Sequence, residues 1–267
     1  MEKKLPYREE KVCYRDLGRG KPVMFIHGFA EDGTIWNHQL NYLEKKFRML
    51  VPDIPGSGLS SGKGSELSSI EDYAECLKAI LDAEKIKDCV MIGHSMGGYI
   101  MLAFAEKYPG YLKGMGLFHS TAYADSEEKK TARRKSIDLI RQYGSAAFLE
   151  QSIPNLFSEY FQKQHSNEVG SLINRYANFK SETLVSYYEA MIRRPDRTSV
   201  LKTFSKPVLF IIGACDKAVP LEQSLEQCHL PQLSYIHIFE NTAHMGMLEN
   251  KDQSNHIVEN FLDEVSC

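Results

Sequence analysis

The sequence lacks the paired cysteines that a disulfide-stapled or zinc-bound fold requires. Six cysteines occur in 267 residues, and no two of them form a CxxC pair. Small secreted domains held by disulfides carry many closely spaced cysteines, and zinc sites need Cys and His at set intervals. A chain of this length can bury a sufficient core without either device. We therefore expect no disulfide framework, no metal and no cofactor.

Strong net charge and long apolar segments are also missing. The 32 Lys and Arg residues face 35 Asp and Glu residues, which leaves a net charge of −3. This balance argues against nucleic acid or an anionic membrane surface as a partner. No run of 18 apolar residues occurs, and the first residues, MEKKLPYREEK, contain no apolar signal-peptide core. These absences favour a cytoplasmic protein without a membrane span.

Basic residues do cluster locally, at Lys129–Lys130 and Arg133–Arg134. Acidic residues are interleaved with them along the same segment. We interpret the cluster as the solvated face of a helix and not as a binding patch.

Short apolar runs recur along the chain, and helix-like segments lie between them. Each run is bounded by Gly, Pro, Asp or Asn and is apolar nearly throughout, which is typical of strands buried on both faces of a parallel sheet. The runs are VMFIH (23–27), RMLV (48–51), CVMI (89–92), GMGLF (114–118), VLFII (208–212) and YIHIF (235–239). Their alternation with helices predicts an α/β fold with a mostly parallel central sheet flanked by helices.

Residues 120–205 interrupt this alternation because they contain no strand-like run. Their apolar residues recur at helical spacing, for example in NEVGSLINRYANFK (167–180) and SETLVSYYEAMIRR (181–194). We predict a helical cap over residues 120–205, inserted after the sixth core strand, with the core formed by residues 1–119 and 206–267.

The most informative motif is Gly93-His94-Ser95-Met96-Gly97, which follows a strand-like run and precedes a helical pattern. In that setting G-x-S-x-G is typical of a sharp turn that presents a nucleophilic serine. Side chains at positions 93 and 97 would collide across the turn, so glycine is required there. The N–H groups at the start of the following helix favour negative charge on a substrate. Ser95 is therefore the candidate nucleophile.

A serine hydroxyl needs a base, and the base needs an acid that orients it. Of the nine histidines, His244 is the candidate base because it lies in a loop between the last strand and the terminal helix. Asp216 follows the run VLFII and a small-residue turn, which makes it the candidate acid. Asp53 precedes the serine and Asp125 lies at the entry of the insertion, so we interpret both as structural.

The negative charge that develops on a substrate oxygen needs two hydrogen-bond donors. The turn motif supplies one, the backbone N–H of Met96. The loop His27-Gly28-Phe29 after the run VMFIH supplies the second, the N–H of Phe29. The His27 side chain is expected to brace that loop.

Together these segments resemble the α/β-hydrolase fold family, in particular its cap-bearing serine hydrolases. The matching segments are HGFAEDGTIW (27–36), DIPGSGLS (53–60), GHSMGG (93–98), GACDKAVP (213–220) and NTAHMGMLEN (241–250). The resemblance implies a Ser95–Asp216–His244 triad, an oxyanion hole at Phe29 and Met96, and a helical lid. Serine at the turn argues against the haloalkane dehalogenases and epoxide hydrolases of this fold, which carry aspartate there.

The reaction that these residues favour is hydrolysis of a small carboxylic ester through an acyl-enzyme, as in carboxylesterases. Amide cleavage is disfavoured because an amine is the harder leaving group. Three alternatives stay open: a C–C bond hydrolase, a perhydrolase or haloperoxidase-like enzyme, and a small-molecule binding or signalling protein with negligible turnover. The partner is then a small ester-like molecule, and the oligomeric state is open. Predicted substrate contacts are Phe157, Tyr187, Tyr188, Met191, His119 and Tyr123.

Overall fold

One eight-stranded sheet runs through the computed structural model, which describes residues 1–8, 10–60 and 69–265. The strands are β1 (Glu2–Tyr7), β2 (Glu10–Gly18), β3 (Lys21–Ile26), β4 (Phe47–Pro52), β5 (Cys89–His94), β6 (Leu112–Phe118), β7 (Val208–Gly213) and β8 (Ser234–Phe239). Their spatial order is β1-β2-β4-β3-β5-β6-β7-β8. Strands β3 to β8 are parallel to one another. This confirms the predicted fold class, and the six apolar runs coincide with these six strands.

Strands β1 and β2 were not indicated by the sequence pattern. They pair antiparallel with each other, and β2 pairs antiparallel with β4. Residues of β1 alternate between exposed and half-buried because the strand lies at the edge of the sheet. An edge strand of this kind lacks the continuous apolar run that marks a strand buried on both faces.

Helices cover both faces of the sheet and bury the two hydrophobic clusters of the core. They are α1 (Asn37–Leu43), α2 (Ile70–Ala83), α3 (Met96–Lys107), α4 (Glu127–Ser152), α5 (Glu159–Gln164), α6 (Ser166–Tyr176), α7 (Ser181–Arg193), α8 (Thr198–Thr203), α9 (Leu221–Cys228), α10 (Gly246–Glu249) and α11 (Lys251–Val265). Helix α2 begins with a capping box, in which Ser69 and Asp72 satisfy each other's backbone N–H groups. None of the described helices is long and apolar enough to cross a membrane.

The chain between β6 and β7 contains helices and no strand, and we call residues 120–205 the insertion. Helix α4 bends at Gly144, whose φ is 84°. The two arms of the insertion meet where the Arg197 N–H donates a hydrogen bond to the Ala122 carbonyl at 2.7 Å. On the core side of that point, Gln227 bonds the Ala122 N–H and the Ser120 carbonyl, each at 2.8 Å.

The parallel strands bring the candidate residues to one edge of the sheet. Phe29 follows β3, Ser95 follows β5, Asp216 follows β7 and His244 follows β8. Carboxyl ends of parallel strands share an edge, which is where open α/β sheets carry their binding sites. The insertion leaves the sheet at the same edge, after β6.

Candidate active site

Ser95 occupies the turn between β5 and α3 in a backbone conformation that residues with a side chain rarely adopt. Its φ is 49° and its ψ is −115°. A Cβ on Gly93 would lie 2.5 Å from backbone atoms of Gly97, and one on Gly97 would lie 2.4 Å from the Ile26 carbonyl oxygen. The two glycines therefore allow the turn to close, as the motif predicts.

The turn is also fixed by the chain that leaves β6. The Ser95 carbonyl accepts hydrogen bonds from Ser120 Oγ at 2.7 Å and from the Gly98 N–H at 2.9 Å. A Cβ on Gly98 would lie only 2.2 Å from that hydroxyl oxygen, so glycine makes room for it. Ser95 is thus positioned by protein contacts before any substrate binds, and such positioning favours reaction at a candidate nucleophile.

Asp216 and His244 are in direct contact. Asp216 Oδ2 accepts a hydrogen bond from His244 Nδ1 at 2.7 Å, and Oδ1 accepts the N–H groups of Ala218 and Val219 at 2.8 and 2.9 Å. Burial alone would raise the pKa of this carboxyl, but His244 and the hydrogen bonds hold it well below its usual value. The carboxylate is therefore ionised. Since Nδ1 faces this carboxylate, Nε2 is the His244 nitrogen that is left to act as a base.

Ser95 and His244 border the same cavity but do not hydrogen-bond to each other in this structure. Proton transfer needs that contact, and in substrate-free enzymes it is often longer than in complexes. His94 also borders the cavity, yet both of its ring nitrogens are engaged elsewhere. His244 is consequently the histidine available to Ser95.

A second imidazole, that of His119, lies against the same carboxylate. Its Nδ1 is 3.5 Å from Asp216 Oδ2, and its Nε2 accepts the Gly246 N–H at 3.2 Å. Burial lowers the pKa of His119 to about 4, so the ring is neutral near pH 7. Gly213 and Gly246 provide its space, since a Cβ there would lie 3.0 and 2.4 Å from the ring. His119 is therefore buried behind Asp216 and not at the mouth of the site, where the sequence placed it.

The backbone N–H groups of Phe29 and Met96 have no hydrogen-bond partner within the described ranges. Met96 is the first residue of α3, and N–H groups in the first turn of a helix are free. Phe29 lies in the loop after β3, which His27 braces by accepting the Ile54 N–H at 3.0 Å. Both amides are thus free to donate, as the oxyanion-hole hypothesis requires.

A buried ion pair connects the loop after β3 to the loop of His244. Glu31 Oε2 lies 3.0 Å from His94 Nδ1 and accepts the Gly28 N–H at 2.7 Å, while His94 Nε2 donates to the His244 carbonyl at 3.0 Å. Burial disfavours charge on both side chains, but their attraction and hydrogen bonds outweigh it. The pKa of His94 is raised and that of Glu31 is lowered. Both shifts favour the charged forms of the two side chains, and the pair fixes the backbone of the candidate base.

Glu31→Gln should test this pair, because it leaves the charged His94 ring buried without a counter-charge. We expect the free energy of unfolding, measured by urea denaturation, to fall by about 3–5 kcal/mol. The double variant E31Q/H94Q should recover part of that loss. Glu150→Gln, an exposed acid on α4, is the matched control and should change stability by less than about 0.5 kcal/mol. An unchanged urea midpoint in Glu31→Gln would rule out a charged pair.

The stabilisation by this pair depends on pH in a direction that follows from the two shifts. The pKa of His94 is raised from 6.5, so its contribution is complete below pH 6.5 and is lost as pH rises through the folded value. The pKa of Glu31 is lowered from 4.5, so its contribution is complete above pH 4.5 and is lost as pH falls. The difference in free energy of unfolding between the wild type and the E31Q/H94Q double variant is therefore greatest between pH 4.5 and 6.5.

The candidate triad opens onto a cavity of about 480 Å³ between the sheet edge and the insertion. Tyr188 and Met191, both predicted, border it, and Phe29 stacks on Tyr188 with ring centroids 4.2 Å apart. The volume suits a small organic molecule. A larger cavity of about 560 Å³, beside β2 and residues 175–180, contains none of the candidate triad residues. The position of the reactive groups, and not cavity size, therefore identifies the site.

Four predicted substrate contacts do not border this cavity: Phe157, Tyr187, His119 and Tyr123. Tyr187 adjoins Tyr188 in α7 but points about 100° away around the helix. Its hydroxyl donates to the Pro55 carbonyl at 2.8 Å in the core. Phe157 stacks on Phe161 at 5.2 Å inside the insertion, and its neighbour Leu156 borders the cavity instead.

Basic side chains of the insertion also border the cavity. Arg133 Nε and Arg194 Nη1 lie 2.6 and 3.0 Å from Asp125 Oδ2. The interpretation of a solvated face holds for the exposed Arg134 and is wrong for Arg133, because one step along a helix turns the side chain by about 100°. Asp125 pairs with both arginines in the wall of the same cavity.

Sequence reasoning missed Glu31, Tyr99 and Arg194 as site residues. Tyr99 follows Ser95 by one helical turn, so its place beside Ser95 could have been predicted from the period of the helix. Glu31 and Arg194 carry no comparable signal, since a charged residue in a loop is usually solvated. The described residues contain no group of three or more His, Cys, Asp or Glu side chains that could hold a metal ion.

Comparison with known proteins identifies the fold family. A family model described as the alpha/beta hydrolase fold matches residues 21–251. The 2-hydroxy-6-oxo-2,4-heptadienoate hydrolase of Pseudomonas putida is 24% identical over 267 residues, covering 92% of this chain and 91% of that protein. A thermophilic esterase from Thermogutta terrifontis has a TM-score of 0.91 at 27% identity, over 99% of both chains. The enol-lactonase of Burkholderia xenovorans LB400 has a TM-score of 0.88 at 21% identity, over 98% of this chain and 100% of that one.

These matches span nearly the whole molecule, and the family model alone covers β3 to the start of α11. The nucleophile turn, the mostly parallel sheet and the helical insertion after β6 are all typical of one fold family. The chain belongs to the α/β-hydrolase fold family.

Proposed function

We propose that this hydrolase cleaves a small carboxylic ester-like substrate through a triad of Ser95, His244 and Asp216. The observation that carries the proposal is the 2.7 Å hydrogen bond between Asp216 and His244, beside a serine held in a strained turn. An acid, a base and a nucleophile in this order form the arrangement that activates a serine hydroxyl. The reaction needs no further group from a cofactor or a metal.

In the proposed mechanism Ser95 Oγ attacks the ester carbonyl carbon while His244 Nε2 takes the hydroxyl proton. The carbonyl oxygen becomes an oxyanion, which the N–H groups of Phe29 and Met96 stabilise by hydrogen bonds. The tetrahedral intermediate collapses, and the His244 imidazolium protonates the departing alkoxide. Water then attacks the acyl-enzyme carbonyl and gives a proton to His244. The His244 imidazolium returns that proton to Ser95 Oγ as the acyl C–O bond breaks, which releases the carboxylic acid and free Ser95.

Asp216 would hold the imidazole in the correct tautomer and stabilise its positive charge during both steps. Its pKa lies well below the usual range, so it stays ionised while His244 exchanges protons. The neutral ring of His119 adds a polar contact to the same carboxylate without adding charge.

We also propose that residues 120–205 act as a cap over the reacting groups. Tyr188, Met191 and Leu156 of this segment border the cavity that contains Ser95. A cap of this kind excludes bulk water and shapes the substrate pocket. Substrate selection would then depend on the insertion more than on the triad.

A second candidate reaction is hydrolysis of a C–C bond beside a ketone. The observation in its favour is that several relatives are named as hydrolases of 2-hydroxy-6-oxo acids. One is the 2-hydroxy-6-oxononadienedioate/2-hydroxy-6-oxononatrienedioate hydrolase of Escherichia coli K12, which is 26% identical over 94% of this chain and 91% of that protein. The same three residues would serve, but His244 would deliver the proton to a carbon and not to an alkoxide oxygen.

Labelling with a serine-directed fluorophosphonate tests the nucleophile and its base. Intact-mass and peptide mass spectrometry should locate one adduct, on Ser95. Ser95→Ala should remove the adduct, and His244→Ala should slow its formation by at least about 100-fold because the hydroxyl loses its base. His256→Ala, an exposed histidine on α11, is the control and should label at the wild-type rate. An adduct on another serine would refute the assignment.

A further inference from the structure

Positive charge is in excess on one wall of the catalytic cavity. Lys129, Arg133 and Arg194 border the cavity, and all three approach the same carboxylate, Asp125. Their nitrogens lie 4.0, 2.6 and 3.0 Å from its oxygens. Three cations face one anion, so two positive charges have no protein counter-charge within this cluster.

Asp125 and the two arginines are withdrawn from solvent, whereas the Lys129 side chain is 30% exposed. The side chain of Asp125 is fully buried, and the side chains of Arg194 and Arg133 expose 3% and 14% of their surface. Burying unbalanced charge is costly, so such clusters are expected to be completed by a group of opposite sign. The remaining acid in the cavity wall, Glu31, is already paired with His94.

The hydrogen bonds of the two arginines differ in a way that defines their roles. Arg194 donates to the carbonyls of Met191 and Tyr123, each at 3.0 Å, and its guanidinium lies 3.8 Å from the centre of the Tyr99 ring. Both of its terminal nitrogens are thus bonded to protein carbonyls. Arg133 uses Nε and Nη2 on Asp125, and its Nη1 has no partner among the residues described. Arg133 therefore has a free donor at the cavity wall.

Tyr99 adds a second free polar group to the same wall. Its hydroxyl has no hydrogen-bond partner in the part of the chain that the structure describes. Tyr99 borders the cavity and lies one helical turn after Ser95. Burial alone would raise the pKa of its phenol, but Arg194, Lys129 and Arg133 lower it. These three cations create a positive potential around a side chain one helical turn from Ser95.

We propose that Arg133 and Tyr99 bind a carboxylate of the substrate, so that the preferred substrates are esters that carry a second, ionised carboxyl group. A guanidinium and a hydroxyl are suited to a planar oxyanion, and the surrounding cations supply the charge balance. This inference rests on the proposed function, since Ser95 as nucleophile defines the other end of the substrate. A cavity of about 480 Å³ holds such a small dicarboxylic monoester.

A purely structural role for the cluster accounts for less. Asp125, Arg133 and Arg194 all belong to the insertion, and one arginine would suffice to neutralise one carboxylate. A purely structural role does not require a second arginine and a lysine around Asp125, nor an unpaired donor on an arginine that borders the cavity of Ser95.

The test compares monoethyl adipate with diethyl adipate, which differ in one ionised carboxyl group. We expect the wild type to prefer the monoester by about tenfold or more in kcat/KM, the size expected of a hydrogen bond to a charged group. The preference should arise in KM and should weaken at high NaCl concentration, because salt screens the attraction. Hydrolysis is followed by chromatography of the released acids.

Variants on α4 assign the preference to one side chain. Arg133→Gln should lower the ratio of the two kcat/KM values by about tenfold, and Arg133→Lys should retain part of it. Arg134→Gln is the matched control, since it removes the same charge one residue away on the solvent side. Its ratio should equal that of the wild type. Far-UV circular dichroism and the melting temperature check that each variant is folded.

Binding to Ser95→Ala, measured by isothermal titration calorimetry with monoethyl adipate, separates the two hypotheses. If adding Arg133→Gln weakens binding at least tenfold, the anion site is supported. This holds even if the wild type hydrolyses neither ester, a result that would overturn the proposed function alone. Hydrolysis of diethyl adipate without preference for the monoester overturns the anion site alone. If Arg133→Gln lowers kcat/KM for both esters equally, Arg133 has only a structural role, and the anion site is overturned as well.

Discussion

Ser95→Ala is expected to lower kcat for a short-chain 4-nitrophenyl ester by about 10⁴- to 10⁶-fold. The change removes the only atom that forms the acyl-enzyme in the proposed mechanism. Alanine keeps the Cβ of serine, so the strain at a φ of 49° is unchanged and the turn should form as before. The remaining rate would come from the oxyanion donors and from substrate binding.

The measurement is steady-state hydrolysis at saturating ester, with the melting temperature as the check on folding. Ser205→Ala, an exposed serine before β7, serves as the control and should retain the wild-type kcat. A Ser95→Ala variant within tenfold of the wild type would refute covalent catalysis by Ser95. Assaying Ser95→Ala with a substrate whose C–C bond lies beside a ketone tests the second candidate reaction, for which the same loss of kcat is expected.

Asp216→Asn should lower kcat by about 10⁴-fold with little change in KM. The amide has no negative charge to stabilise the His244 imidazolium, and its NH₂ group favours the wrong imidazole tautomer. Its oxygen can still accept the N–H groups of Ala218 and Val219, which the carboxylate bonds at 2.8 and 2.9 Å. The loop after β7 should therefore keep its shape, and the loss should be confined to the chemistry.

Steady-state kinetics at several pH values measure this loss, and Asp252→Asn, an exposed acid on α11, is the matched control. Retention of more than a tenth of the wild-type kcat in Asp216→Asn would contradict its role as the orienting acid. Because the neutral His119 ring also contacts Asp216, His119→Gln is expected to have a smaller effect on kcat than Asp216→Asn.

The sheet and the residues after its strands could be predicted because both depend on local pattern. Continuous apolar runs mark strands buried on both faces, and parallel strands bring the loops after them to one edge. The glycines at positions 93 and 97 could be predicted from sterics, since backbone atoms occupy the space that a side chain would fill. Asp216 and His244 followed from their places after β7 and β8.

The pocket could not be predicted because its residues depend on the rotation of each helix about its axis. Helical spacing shows that Tyr187 and Tyr188 lie in one helix, but not that Tyr188 faces the cavity. For the same reason, the sequence could not show that Arg133 borders the cavity while Arg134 is exposed to solvent. The pair of Glu31 and His94 joins residues 63 positions apart, and no periodic pattern encodes a contact of that kind.

The hydrogen bond between Arg197 and Ala122 has a consequence for how such proteins can change. Both arms of the insertion pass through one narrow neck, and Gln227 ties the core side of the neck to α9. The two ends of the segment between these arms are therefore adjacent in space. A longer or shorter segment can replace it without changing the distance between the two points where it joins the core. New substrates could be acquired by replacing that segment while the machinery that breaks the bond is inherited intact.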